Sequence, residues 1–271
     1  MNSKIFTENE RYLMLALDHR ESFRKLINPQ NPEKISKDKA SRTKGKIIES
    51  LKDKFSGVLI DQEYGLGSYK ELQINKPFLL PMEESGYELV DNERINKIIY
   101  KCSDIKNSGA SGAKILLYFN PSYEKSAKIQ AKTAKQALED ARQNDLPLFL
   151  EIVTYQVTDI ENVLRSVEYF LDNNIIPDVF KIEFPGNDYL SKKISNMLGQ
   201  TPWILLSRGA DYTLFKEQLL VASDNGCWGF LAGRSLWQDY FNFTEESEKE
   251  KFLKETLPSR FEEIKQIVLN S

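Results

Sequence analysis

The amino-acid sequence predicts an α/β fold, a single (β/α)8 barrel domain over residues 1–271. Three observations predict it. Eight short, nearly continuous apolar runs recur along the chain, most opened by Pro or Gly and closed by polar residues, as strands buried on both faces of a parallel sheet require. Segments with helical spacing of apolar residues lie between them. The length, 271 residues, is close to the roughly 250 that such a barrel takes as one domain.

The strands are read at YLMLALDH (12–19), SGVLIDQE (56–63), PFLLPME (77–83), SGAKILLY (111–118), LPLFLEIVTY (146–155), PDVFKIEFP (177–185), TPWILLSRG (201–209) and CWGFLAGRS (227–235). Helical spacing appears in ESFRKLI (21–27), ASRTKGKIIESLKDKF (40–55), NERINKIIYKCSDIKNSG (92–109), AKIQAKTAKQALEDARQND (127–145), TDIENVLRSVEYFLDNN (158–174) and LFKEQLLVASDNG (214–226). Between the second and third strands, GLGSYKELQINK leaves room for only a short helix. The tail, residues 244–270, reads as two helices split at Pro258, a residue suited to a helix start.

Composition narrows the function. The chain is 41% hydrophobic and 28% charged, with a net charge of −3, which argues against a dedicated nucleic-acid or anionic-membrane binder. Its two cysteines, Cys102 and Cys227, make no disulfide framework, and a reducing cytoplasm is expected. The first residues lack the apolar core of a signal peptide, and no run reaches the roughly 18 apolar residues of a membrane span. The lone His19 rules out a zinc site built from several histidines. Neither metal nor cofactor is expected, and the chemistry falls to Lys, Asp, Glu, Ser, Tyr and Arg. The Lys-rich stretch 33–55 reads as a solvated helix face, and Gly65-Leu66-Gly67 as a tight turn, because a dinucleotide loop lacks its third glycine where Lys70 stands.

In barrels of this kind the site lies at the C-terminal ends of the strands, so ionisable residues late in apolar strands are informative. Strand one ends in Asp18, His19 and Arg20, and strand two carries Asp61. Strand four has Lys114, strand five Glu151, and strand six Lys181 and Glu183. Strands seven and eight end in Ser207-Arg208-Gly209 and Gly233-Arg234-Ser235. Side chains alternate along a strand. With Phe180, Ile182 and Phe184 facing the helices, Lys181 points into the barrel. Glu151 opposes Leu150 and Ile152, Asp18 opposes Leu17, and Lys114 lies with Leu116 and Tyr118. Charges gathered on one side of several strands must be paired or neutralised. Either a structural ion-pair network or an active site meets that need, and Asp61 and Glu183 taken singly fit both.

A lysine amine attacks a carbonyl only when neutral, a state favoured by a dry site and a neighbouring ammonium. Lys181 is read as the attacking amine and Lys114 as the charge that tunes it. Such an amine condenses with a ketone to an iminium, an electron sink that permits cleavage of the adjacent carbon–carbon bond. Loops after strands seven and eight commonly bind phosphate. Ser207, Gly209, Gly233 and Arg234 suit that role.

LALDHRES (15–22), LIDQEYG (59–65), EESGYE (83–88), GAKILLY (112–118), FLEIVTY (149–155), FKIEFPGN (180–187) and PWILLSRGADYTLF…GFLAGRSLW (202–237), taken in order, carry a resemblance. The chain resembles the class I tagatose 1,6-bisphosphate aldolases and the related sulfofructose-phosphate aldolases, from strand one through strand eight. The resemblance implies a TIM barrel, a Schiff-base lysine at Lys181, and catalytic partners at Lys114, Glu151 and Asp18. It also implies phosphate binding by Ser207 and Arg234, with no metal. His19 stands where relatives usually have Gln, Arg208 where they have a small residue, and the chain is several tens of residues shorter.

The leading expectation is a metal-independent aldolase that splits a phosphorylated ketose into dihydroxyacetone phosphate and an aldehyde. His19, Arg20, Asp61 and Arg208 are candidate substrate contacts. A 6-deoxy-6-sulfofructose 1-phosphate aldolase giving sulfolactaldehyde shares this chemistry, and side-by-side assays separate the two. A non-catalytic sugar-phosphate-binding regulator is the reading of another class; it predicts ligand-induced stabilisation without a covalent adduct. Such barrels often form homo-oligomers, but no interface is legible in the sequence.

Overall fold

The computed structural model describes residues 2–271. The eight expected strands are β1 (Arg11–Leu17), β2 (Gly57–Ile60), β3 (Phe78–Pro81), β4 (Gly112–Phe119), β5 (Leu148–Thr154), β6 (Val179–Ile182), β7 (Trp203–Leu205) and β8 (Gly229–Ala232). Each pairs in parallel with its sequence neighbours, and β1 pairs with both β2 and β8. The sheet is thus a closed (β/α)8 TIM barrel.

Helices follow the strands: α1 (Glu21–Ile27), α2 (Lys37–Leu51), α3 (Gly65–Glu71), α4 (Cys102–Asn107), α5 (Glu124–Gln143), α6 (Asn162–Asp172), α7 (Asp188–Leu198), α8 (Tyr212–Asp224) and α9 (Arg234–Trp237). Several starts are fixed by side-chain caps. Ser36, Asn187 and Asp211 accept hydrogen bonds from the backbone N–H of Lys39, Leu190 and Leu214, each worth about 1 kcal/mol.

Strand alternation divides the core into two layers. Phe180, Ile182, Leu150 and Ile152 face the helices. Val179, Phe149, Met14, Leu59, Leu79, Ile204 and Leu231 fill the barrel interior. Phe6 comes from a 3-10 turn (Ser3–Phe6) ahead of a two-residue strand (Thr7–Glu8) that pairs antiparallel with β1. Its ring packs edge-on against Phe149, centroids 5.3 Å apart, and closes the interior from the N-terminal side. The lower barrel is packed, and the upper end is left for polar side chains.

Three local expectations are corrected. Residues 92–101 do not join the helix expected over 92–109, which is confined to α4. Instead Glu88–Val90 and Glu93–Ile95 form an antiparallel hairpin beside the barrel mouth. Its two-residue loop, Asp91-Asn92, has φ of +54° and +64°, the backbone of a type I′ turn. Turn chemistry outweighs the helical spacing of Ile95, Ile98 and Ile99. Gly65-Leu66-Gly67 is the first turn of α3 rather than an isolated turn: Leu66 N–H donates to Asp61 O, and a Cβ at Gly65 would lie 2.9 Å from Ile60. The tail is not cleanly split, because α10 (Glu246–Lys251) runs through a π-helical turn (Phe252–Thr256) into α11 (Leu257–Leu269). The wider turn accommodates Pro258, which lacks an N–H and crowds the preceding turn of an α-helix. Among the described residues no helix is long and apolar enough to cross a membrane.

Candidate active site

A cavity of about 230 Å³ opens at the C-terminal end of the barrel. Register explains its floor. Glu151 on β5 is the direct cross-strand partner of Lys181 on β6, and Leu116 on β4 is the partner of Glu151, so inward-facing residues from adjacent strands meet at one level. Lys181 Nζ lies 2.9 Å from Glu151 Oε2, and Lys114 Nζ lies 3.4 Å from the same oxygen. Lys114 also contacts Asp18 Oδ2 at 2.7 Å and Glu83 Oε1 at 2.5 Å. One ammonium is therefore enclosed by three carboxylates.

Electrostatics follow from this enclosure. Burial works against the charge of Lys114, but Asp18, Glu83 and Glu151 together outweigh it and hold the amine protonated, above the usual lysine range. Burial likewise opposes the charge of Asp18, yet Lys114, with Lys181 beyond it, wins and keeps its carboxyl ionised, well below the usual range. At Glu83 burial prevails over Lys114 and the carboxyl is pushed up. His19 is pushed down to about 3, by burial first and by Arg234, Lys44 and Lys181 as well, against the pull of Asp18. Its imidazole is neutral at physiological pH and rests edge-on against Trp237 at 5.2 Å.

The phosphate-binding candidates follow β7 and β8, between β6, which carries Lys181, and β1, which Asp18 follows. Ser207, Arg208, Gly209, Gly233 and Arg234 all line the cavity. Gly209 has φ +78°, and a Cβ there would come within 3.0 Å of Arg234 Cζ. Glycine thus serves both the left-handed backbone and the close approach of the guanidinium. Among the described residues no side chain forms a hydrogen bond or ion pair with Arg234. Arg208 is half exposed, also left-handed at φ +48°, and its Nη1 sits 2.5 Å from Glu183 Oε1. Glu183 also accepts from Thr154 N–H and Oγ1. Its carboxyl is pushed up by burial, partly offset by Thr154 and Arg208.

Of the residues expected from sequence, the cavity brings together Asp18, His19, Arg20, Lys114, Glu151, Lys181, Ser207, Arg208, Gly209, Gly233 and Arg234. Asp61 is corrected: it is fully buried outside the cavity, paired with Lys44, and it accepts from Glu63 N–H and Tyr64 N–H. The expectation that residues 33–55 present only a solvated face also fails at Lys44, which is fully buried. Sequence reasoning missed Glu83, although strand parity held the signal. Phe78, Leu80 and Met82 face the helices while Leu79 faces inward, so Glu83 follows Leu79 and Pro81 on the inner side. It also missed Asn96, which lines the cavity from the hairpin segment and is tied to Gln130 on α5 by a 2.8 Å hydrogen bond.

The family model "DeoC/LacD family aldolase" matches residues 12–239. Tagatose 1,6-diphosphate aldolase 1 of Streptococcus mutans is 27% identical over 269 residues, covering 86% of this chain and 83% of that protein. Tagatose 1,6-diphosphate aldolase 2 of Streptococcus agalactiae is 27% identical over 305 residues, covering 98% and 93%. Among solved structures, an archaeal fructose 1,6-bisphosphate aldolase superposes with TM-score 0.67 at 16% identity, covering 99% of this chain and 97% of that one. The fructose-bisphosphate aldolase of Plasmodium falciparum superposes with TM-score 0.73 at 16% identity, covering 98% and 92%. The structural likenesses concern the barrel.

Proposed function

Because the chain belongs to the DeoC/LacD family of aldolases, and is thus a lyase, we propose that it is a class I enzyme. Its reaction on this reading is the reversible cleavage of a phosphorylated ketose of the tagatose 1,6-bisphosphate type into dihydroxyacetone phosphate and an aldehyde. The observation that carries the reading is the Lys181–Glu151 contact of 2.9 Å beside a second lysine, Lys114, held protonated by carboxylates.

Lys181 attacks the C2 ketone. Glu151 passes a proton to the carbinolamine oxygen, which leaves as water, and the iminium forms. Asp18 accepts the C4 hydroxyl proton, the C3–C4 electron pair flows into the iminium, and the aldehyde departs. The ammonium of Lys114, touching both Asp18 and Glu151, stabilises negative charge on the C4 oxygen while that proton moves. Protonation of the enamine at C3 and hydrolysis, again with Glu151, release dihydroxyacetone phosphate. Arg234, Ser207 and the amides near Gly209 and Gly233 hold the C1 phosphate. Arg208, on the rim, faces the distal group of the sugar.

Borohydride reduction in the presence of ketose phosphate tests the reading. A mass adduct is expected on Lys181 and none in Lys181→Ala. An adduct elsewhere, or normal turnover by Lys181→Ala, overturns it. Parallel assays with tagatose 1,6-bisphosphate and 6-deoxy-6-sulfofructose 1-phosphate identify the distal group.

A further inference from the structure

Lys44 lies in the buried stripe of α2 with Ala40, Ile47, Ile48 and Leu51, and its side chain has no solvent exposure. An ammonium has three N–H donors, and all three are used here. Nζ donates to Leu17 O at 2.8 Å, to His19 O at 2.7 Å and to the carboxylate of Asp61. The first two carbonyls flank Asp18. Asp61 in turn ties the same ammonium to the β2–α3 loop through Glu63 N–H and Tyr64 N–H. The aromatic rings of Phe23 and Tyr64, centroids 5.0 and 5.7 Å from Nζ, complete the surroundings.

We propose that Lys44 is a positioning residue for Asp18: a buried ammonium that clamps the backbone on both sides of the carboxylate required for carbon–carbon cleavage. A charge kept wholly out of water is costly unless paired and hydrogen-bonded, and a neutral apolar residue on this helix face would complete the packing without that cost. What the ammonium supplies instead is two charge-assisted bonds to the carbonyls at the end of β1, where the chain leaves the sheet and loses its ladder partners. They fix the direction in which Asp18 enters the cavity, 2.7 Å from Lys114. Lys44 touches no reacting atom, so its effect falls on the step that uses Asp18 and spares imine formation by Lys181 and Glu151. The inference rests on the aldolase reading above.

The test separates the two steps in the full-length chain. Lys44→Met/Asp61→Asn removes both charges while leaving a carbonyl oxygen at position 61 for Glu63 N–H and Tyr64 N–H. Borohydride trapping with dihydroxyacetone phosphate is expected within about twofold of wild type, kcat for ketose bisphosphate cleavage is expected to fall 10- to 100-fold, and KM is expected to change less than threefold. Lys44→Gln, whose amide retains two donors, should recover part of the loss and serves as the second variant if the double one does not fold. Cleavage at the wild-type rate, or trapping and cleavage falling together in both variants, overturns the proposal. Absence of trapping in the wild type instead overturns the aldolase reading itself.

Discussion

Lys181 and Lys114 contact the same oxygen, Glu151 Oε2, at 2.9 and 3.4 Å. On the proposed mechanism this carboxylate moves protons for Lys181 while Lys114 fixes the local charge. Glu151→Gln is therefore expected to lower kcat by about 10²–10⁴-fold, with slower appearance of the reduced Lys181 adduct. Single-turnover trapping measures both, and an unaltered trapping rate refutes the assignment.

Lys114 is 1% exposed and contacts three carboxylates. Lys114→Met leaves them facing one another and is expected to cost roughly 3–5 kcal/mol of stability, read from urea unfolding. Adding Glu83→Gln should restore part of it, because Glu83 is the member of the trio whose carboxyl burial already pushes toward the neutral form. A loss below about 1 kcal/mol, the level of an exposed pair, contradicts the enclosure.

Arg234 has a cradle but, among the described residues, no side-chain counter-ion. Arg234→Ala is expected to raise KM for a phosphorylated ketose by roughly 10- to 100-fold, the worth of a charge-assisted hydrogen bond. Gly209→Ala should raise KM about tenfold, because a Cβ 3.0 Å from the guanidinium displaces it. If the unphosphorylated sugar suffers equally in either variant, the arginine does not read phosphate.

His19 is the sole histidine, and burial pushes it down from the ordinary histidine value of about 6.5 to about 3 in the folded chain. Between these values the unfolded chain binds the proton and the folded one does not, so this contribution to stability is complete above about 6.5 and declines as pH falls toward 3. The slope approaches about 1.4 kcal/mol per pH unit. Glu83 and Glu183, pushed up by burial, contribute with the opposite sign above the ordinary glutamate range. The difference between wild type and His19→Gln isolates the histidine. Parallel stability–pH curves for the two would exclude a buried neutral imidazole.

The barrel was legible because each strand is a short apolar run between turn residues, and Lys181, Glu151 and Lys114 because alternation along a strand is local information. Glu83 was within reach of the same parity and was overlooked, since Pro81 interrupts the apolar pattern just before it. Lys44 shows a different limit. It occupies an apolar-face position, four residues after Ala40 and three before Ile47, but the acceptors that justify burying an ammonium there come from the end of β1 and the residues just after β1 and β2. A pairing between elements has no trace within either one. The hairpin at 88–95 was hidden because its second strand also satisfies helical spacing, and only the Asp91-Asn92 turn decides between them.

Packed side chains fill the barrel interior below the cavity, with Phe6 against Phe149 at the N-terminal side, so the cavity opens at the C-terminal end of the strands. On the proposed mechanism, a ketose phosphate anchored to Lys181 through C2, with its C1 phosphate toward Arg234, places its distal half toward that opening. The aldehyde fragment then leaves first, and the triose, still tethered as the enamine, follows only after hydrolysis. In the synthetic direction the queue reverses, with dihydroxyacetone phosphate obliged to enter ahead of its partner.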